Sequence, residues 1–316
     1  MSEEQDSKGP IETLLPSEDA AGVLKAIGIM LLGILLISIM DALLKWLGSR
    51  YDVVQIIFFR AVFAFIPVGI ALYLRGGLGQ LRTKRPVAHF LRAMTGLAAL
   101  FLFIEGLTRL PLASVIAIAF AAPIFVTAFS VPLLKEHVGV RRWTAVLVGF
   151  LGVLIMVRPG GELFQWSALI VLGAVLLYSL MIMLVRILGR TESPSSIVFY
   201  QSLFSMLVTG AVLPFFWTTP PWEHLLILIA TGLIGGSAQL CLTAAYSRAN
   251  VAIVAPFEYS AMIWAVIFGY FFFAELPGVE VWMGAPVVIA SGIYIAFREA
   301  KLDLPRTWLK RFLIKR

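Results

Sequence analysis

Apolar residues run along this chain for about twenty positions at a time, and polar residues collect in the gaps between runs. Ten runs occupy approximately 23–47, 53–74, 87–107, 111–134, 140–157, 166–188, 195–217, 224–246, 250–273 and 279–297. A helix rises about 1.5 Å per residue and the bilayer's hydrocarbon core is roughly 30 Å thick, so each run is of spanning length. The pattern predicts an all-α membrane protein of ten transmembrane helices. The gaps are short and marked by Gly, Pro or charge, as at Arg158-Pro-Gly-Gly161 and Thr218-Thr-Pro-Pro221. Consecutive helices should therefore run antiparallel.

The ends differ in charge. Residues 1–22 form a predicted disordered tail, with Glu3, Glu4, Asp6, Glu12, Glu18 and Asp19 against Lys8 and no apolar period. This acidic start is not a secretory signal. In the tail 299–316, Trp308, Leu309, Phe312 and Leu313 mix with Lys310, Arg311, Lys315 and Arg316. That stretch reads either as a short interfacial helix on an anionic leaflet or as a frayed basic tail that enforces topology. Ten crossings put both termini on one side, and that side holds nineteen Lys and Arg against four opposite. The positive-inside rule assigns it to the cytoplasm.

Composition narrows the function. Hydrophobic residues make up 60% of the chain and charged ones 14%, with mean hydropathy +0.94, which excludes an ordinary soluble domain. The formal charge of +7 does not point to nucleic acid, because the basic residues sit in loops and at the C-terminus. One cysteine, Cys241, excludes an intrachain disulfide and a thiolate metal cluster. No phosphate loop, zinc motif or nucleophile turn is present, so neither a cofactor nor a catalytic set is predicted.

The chain also repeats itself. A shift of 139 places Arg109 on Arg248, Ala113 on Ala252, Val115 on Val254 and Ile124 on Ile263. It also places Glu136, Gly139, Val140 and Trp143 on Glu275, Gly278, Val279 and Trp282. A shift of 141 places Ile56-Ile-Phe-Phe-Arg60 on Ile197-Val-Phe-Tyr-Gln201. Two five-helix units follow, 23–158 and 166–298, and an odd number of spans forces them into opposite orientations. With Phe59-Arg60 in the second span and Glu136 and Glu275 closing the fourth and ninth, the chain resembles the EamA-type drug/metabolite transporter superfamily. Lys45-Trp-Leu-Gly48, Phe58-Phe-Arg60, Lys84-Arg-Pro86, His89-Phe-Leu-Arg92 and Ala255-Pro-Phe-Glu-Tyr259 are similar to its branch of S-adenosylmethionine uptake carriers, and riboflavin carriers belong to the same group. The resemblance implies an inner-membrane secondary transporter of bacterial type, with alternating access and no ATP. It implies no particular substrate, and Glu258 departs from that branch, where a basic residue is expected.

Glu258 is the candidate centre. It lies about 12 Å inside the ninth span, where a charge costs roughly 2.5–3.5 kcal/mol or more and so should face a cavity. Pro256 invites a kink at the same depth, and Ala261, Ala265 and Gly269 give a face for close helix packing. Arg60 and Asp41 lie at matching depth, about 12 and 10 Å from the opposite surface. Asp41 is expected to pair with Arg60 or with Lys45 one turn on. Arg60 and Glu258 could hold the two ends of a zwitterionic metabolite. Glu258 could instead carry a proton, since withdrawal from water disfavours the charged form. Gln201 and Gln239 are candidate hydrogen-bonding groups, and Phe257, Tyr259 and Trp264 a candidate stacking wall.

Arg92 is expected to snorkel to the interface. Glu136, Glu275 and the Glu105–Arg109 pair are expected to cap or pair at helix ends, and His89, His137 and His224 show no metal spacing. The predicted partners are a small-molecule substrate, the lipid bilayer and possible protons, with the oligomeric state open. The function read from this is secondary-active transport of a small organic metabolite, amino-acid-like or cofactor-like. A drug or amino-acid exporter of the same fold, an intramembrane lipid-handling enzyme and a non-transporting scaffold are the alternatives.

Overall fold

A computed structural model describes residues 20–75, 77–134, 139–157, 166–189, 191–246, 248 and 251–302. The acidic start, Glu136 and His137, the Arg158–Gly161 turn and the tail beyond Leu302 lie outside them. Among the described residues every regular element is helical. These are α1 (Ala20–Gly48), α2 (Val53–Arg75), α3 (Pro86–Arg109), α4 (Leu112–Ala119), α5 (Ala122–Leu134), α6 (Val140–Val157), α7 (Trp166–Leu188), α8 (Pro194–Val212), α9 (Trp222–Tyr246), α10 (Val251–Val254), α11 (Ala261–Phe273) and α12 (Val279–Leu302). Eight stretches are long and apolar enough to cross a membrane, and Trp143–Val157 and Val279–Ile295 are shorter apolar helices.

Local chemistry sets the boundaries. Pro86 opens α3 and Pro194 opens α8, the first-turn positions where a missing N–H costs nothing. The Ser193 side chain caps α8 by accepting from the Ser196 N–H at 3.1 Å. Two spans are broken. Residues 112–134 divide into α4 and α5 at Phe120 and Ala121, just before Pro123, which cannot donate back into the preceding turn. Residues 251–273 divide at a 3-10 turn, Ala255–Ser260, that contains Pro256 and Glu258.

Hydrogen bonds at the two ends of the bundle show which loops share a face. At one end the Tyr51 hydroxyl meets His224 Nδ1 at 2.6 Å, and the Gln55 amide exchanges bonds of 2.8 and 2.9 Å with the Thr218 backbone. At the other, Thr83 donates to Glu192 at 3.0 Å and Tyr200 to the Leu81 carbonyl at 2.8 Å. The α1–α2 and α8–α9 connections thus lie together, opposite the α2–α3 and α7–α8 connections.

The closest packing joins early helices to late ones. α1 and α2 lie on α9, α3 lies on α7 and α8, and α6 lies on α12. Glycines permit the approach. A Cβ on Gly235 of α9 would meet the Met40 sulfur at 2.8 Å and Arg60 Nε at 3.5 Å. A Cβ on Gly96 of α3 would meet the Met181 sulfur at 2.8 Å and Gln201 Nε2 at 3.0 Å. Met40 and Arg60 shifted by 141 give Met181 and Gln201, and Gly96 shifted by 139 gives Gly235. Ala265 and Gly269 are the buried positions of α11.

Candidate functional site

Glu258 sits in the 3-10 turn between α10 and α11, inside the bundle. Its carboxylate accepts a hydrogen bond from the Tyr246 hydroxyl at the end of α9. It also acts electrostatically on Tyr178 of α7 and on neighbouring Tyr259. Tyr178 stands 48% exposed in the middle of its helix while lying within reach of both Glu258 and Arg92. Tyr259 meets Phe120 edge to face, with ring centroids 4.9 Å apart at 69°. The two broken spans therefore touch at their breaks.

The arrangement is an acid ringed by three phenols, with Phe120 behind one of them. Buried carboxylates need partners, and Tyr246 supplies one hydrogen bond, leaving further acceptor capacity free for a solute. Phenol faces favour flat or cationic groups. Among the described residues no group of three His, Cys, Asp or Glu stands close enough to hold a metal ion.

The other residues singled out from sequence occupy three further places. Asp41, 5% exposed, and Arg60 act on one another electrostatically. No direct ion pair between them occurs among the described residues, and Arg60 Nε is buried without a hydrogen-bond partner. Gln201 donates to the Ala93 carbonyl at 3.4 Å and to Ser205 Oγ at 3.2 Å, between α3 and α8. Gln239 is exposed on α9. Phe257 and Trp264 pack on the apolar cluster of Ala26, Met30, Ile34, Ala245 and Val254, and Trp264 stacks on Phe268 at 5.9 Å. Glu258 and Tyr259 are thus brought together, while Phe257 and Trp264 turn towards α1.

Two expectations are corrected. Lys45 does not pair with Asp41. Its ammonium bonds Glu275 Oε1 at 2.9 Å and the carbonyls of Leu107 and Leu110 at 2.8 and 2.6 Å. Arg92 does not snorkel. It is 8% exposed and donates to the Ile197 carbonyl of α8 at 2.7 Å, because α8 packs on α3 there and offers an acceptor inside the bundle. Glu275 pairs at a helix end as expected, and Glu105 pairs with Arg109 at 2.7 Å.

Tyr246, Tyr178 and Phe120 were not singled out in the sequence. A tyrosine mid-span, such as Tyr178, away from the interfacial belt where aromatics collect, was the available signal.

Comparison with known proteins fits this geometry. The profile of the EamA-like transporter family matches residues 24–158 and again 165–298. The chain is 28% identical to the S-adenosylmethionine uptake transporter of Rickettsia prowazekii, over 86% of this chain and 92% of that one. It is 31% identical to the riboflavin transporter of Vibrio cholerae, over 76% and 82%, and 27% identical to that of Rhizobium johnstonii, over 92% and 97%. A solved structure, described only as the crystal structure of a protein, shares the fold. Its TM-score is 0.61 at 20% identity, covering 88% of this chain and 99% of that one. Two successive family matches that leave out little besides the two tails, on a bundle of apolar helices, decide the matter: the chain belongs to the EamA-like transporter family and is a multi-pass membrane transporter.

Proposed function

We propose that this transporter is a secondary-active carrier of a small organic metabolite in a bacterial-type inner membrane, with Glu258 at the centre of the solute site. The reading takes the chain as ten crossings in two inverted five-helix units, 23–158 and 166–298, with both termini cytoplasmic. The two matched glycine seats support the repeat, because each is built from equivalent residues of opposite halves. The solute would carry a flat ring and a hydrogen-bonding or positively charged group. S-adenosylmethionine and riboflavin, named for the relatives, both carry flat heteroaromatic rings and are the first candidates.

The observation that carries this reading is the carboxylate at a helix break, bonded to Tyr246 and bordered by Tyr178 and Tyr259. A charge so placed in hydrocarbon is costly unless it meets a ligand or water. Arg60 and Asp41 act on one another electrostatically, without a direct ion pair among the described residues. This reading places the solute's first anchor on Glu258 and the tyrosines, with Arg60 kept as a candidate partner for a solute carboxylate.

Purified protein in proteoliposomes, given labelled S-adenosylmethionine, riboflavin and a panel of amino acids with and without a pH gradient, tests the proposal. Saturable flux that needs Glu258 is expected. Flux of any of these solutes that is unaffected by Glu258→Gln would refute the site.

A further inference from the structure

The Tyr259 hydroxyl reaches across to α12 at Gly292. A Cβ on Gly292 would overlap that oxygen outright, and would stand 3.2 Å from ring carbon Cζ and 3.8 Å from Cε1. Gly292 is buried, so the space cannot be recovered by turning a side chain out to lipid. Phe120 meets the same ring edge to face, with centroids 4.9 Å apart. The ring thus has an aromatic neighbour as well as a bare stretch of backbone at its hydroxyl, and both constrain it by shape. Close approach to backbone is the use for which glycine is suited.

We propose that Gly292 is a positioning residue that sets solute selectivity through Tyr259. Its missing side chain makes a seat for the phenol oxygen, and that seat fixes one wall of the proposed solute site beside Glu258. A methyl group at 292 pushes the ring into the space a solute's flat portion fills, disfavouring bulky ring systems more than slender ones. This rests on the reading of the Glu258 cluster as the solute site, but the seat itself is a packing relationship and can be tested apart from it.

The geometry makes a specific demand on a double variant. The hydroxyl is the one group that a Cβ at 292 would overlap, so Tyr259→Phe makes room for the methyl group while keeping the ring. Uptake of S-adenosylmethionine and of riboflavin is measured in proteoliposomes for wild type, Gly292→Ala, Tyr259→Phe and the pair. Gly292→Ala is expected to change the ratio of the two uptake rates by about tenfold, the low end of the discrimination that one carbon's worth of pocket shape confers. The double variant returns to the ratio of Tyr259→Phe alone. An unchanged ratio in Gly292→Ala, or a double variant no better than Gly292→Ala, overturns the proposal.

A second measurement needs no solute. In a Cys241→Ser background, Glu258→Cys is labelled with a charged thiol reagent and followed by mass. Gly292→Ala should alter the labelling rate several-fold and Tyr259→Phe should reverse the change. Equal rates in all backgrounds refute the seat. Should wild type carry neither solute, the carrier reading fails on those probes while the labelling rates still decide the role of Gly292.

Discussion

The Lys45 ammonium lies 2.9 Å from Glu275 Oε1, and the two residues join α1 to the far end of α11 across more than two hundred positions of chain. The same ammonium holds the carbonyls of Leu107 and Leu110, and Glu275 Oε2 accepts from the Leu112 N–H at 3.1 Å. One lysine thereby gathers the ends of α1, α3, α4 and α11 on the face that carries the α1–α2 connection. Glu275 is aimed there by the turn before it, where Ala274 adopts a left-handed conformation, φ 52°, and the Glu275 N–H bonds the Gly269 carbonyl at 2.9 Å.

Removing one partner of a buried, hydrogen-bonded charge pair is strongly destabilising. The Lys45 side chain is 8% exposed but that of Glu275 is 28% exposed, so Lys45→Met is expected to cost about 1.5–3 kcal/mol, the range for hydrogen bonds to a charged group. Glu275→Gln should cost less, because the two carbonyls remain on the ammonium. Thermal unfolding in detergent orders the two variants. Equal melting temperatures for Lys45→Met and wild type would contradict this account.

Ala274 offers the opposite sign. A left-handed conformation disfavours any residue with a Cβ by about 1–2 kcal/mol. Ala274→Gly removes that cost and is expected to raise the melting temperature while leaving the Lys45–Glu275 bond intact. A lowered temperature would show that the turn is not strained.

At the solute site, Tyr246→Phe deletes the hydrogen bond that Tyr246 gives Glu258 and keeps the ring. Hydrogen bonds to charged groups are worth about 1.5–3 kcal/mol, so solute affinity or flux should fall by about tenfold or more. Glu258→Gln retains a partner for Tyr246 but loses the charge, and should do greater harm to a positively charged solute than to a neutral one. Paired uptake assays with S-adenosylmethionine and riboflavin read the difference.

Arg60 and Asp41 should behave as one unit. Arg60→Gln, which installs the residue found at Gln201, leaves Asp41 buried without its electrostatic neighbour and is expected to destabilise the bundle. Asp41→Asn in the same chain should recover part of the loss, since neither charge is then left alone. A double variant as unstable as the sum of the singles would argue against their coupling.

The helical bundle and the break at Glu258 were legible because both follow from local chemistry: long apolar runs, a proline, and a carboxylate where lipid should be. The break at Phe120 rested on the same chemistry, since Pro123 follows it, yet the all-apolar run around it masked the signal. Lys45 illustrates what spacing does not reveal. Its neighbour one turn away is Asp41, but three acceptors from other helices outcompete that neighbour. Arg92 fails for the same reason, because a rule about distance to the interface knows nothing of the Ile197 carbonyl. Tyr246 belongs to Glu258 only because the end of α9 and the 3-10 turn come side by side, which spacing along the chain does not show.

The glycine seats bear on how the molecule is made. Gly96 receives side chains from α7 and α8, and α1 and α2 lay their closest-packed surfaces on α9, so the first half finds its principal partners in helices synthesised later. A ribosome that has threaded α1 to α6 into the bilayer has therefore produced inserted helices with vacant notches rather than a finished unit. Assembly must wait for the second half, and a chain truncated between the two should be cleared by quality-control proteases rather than accumulate.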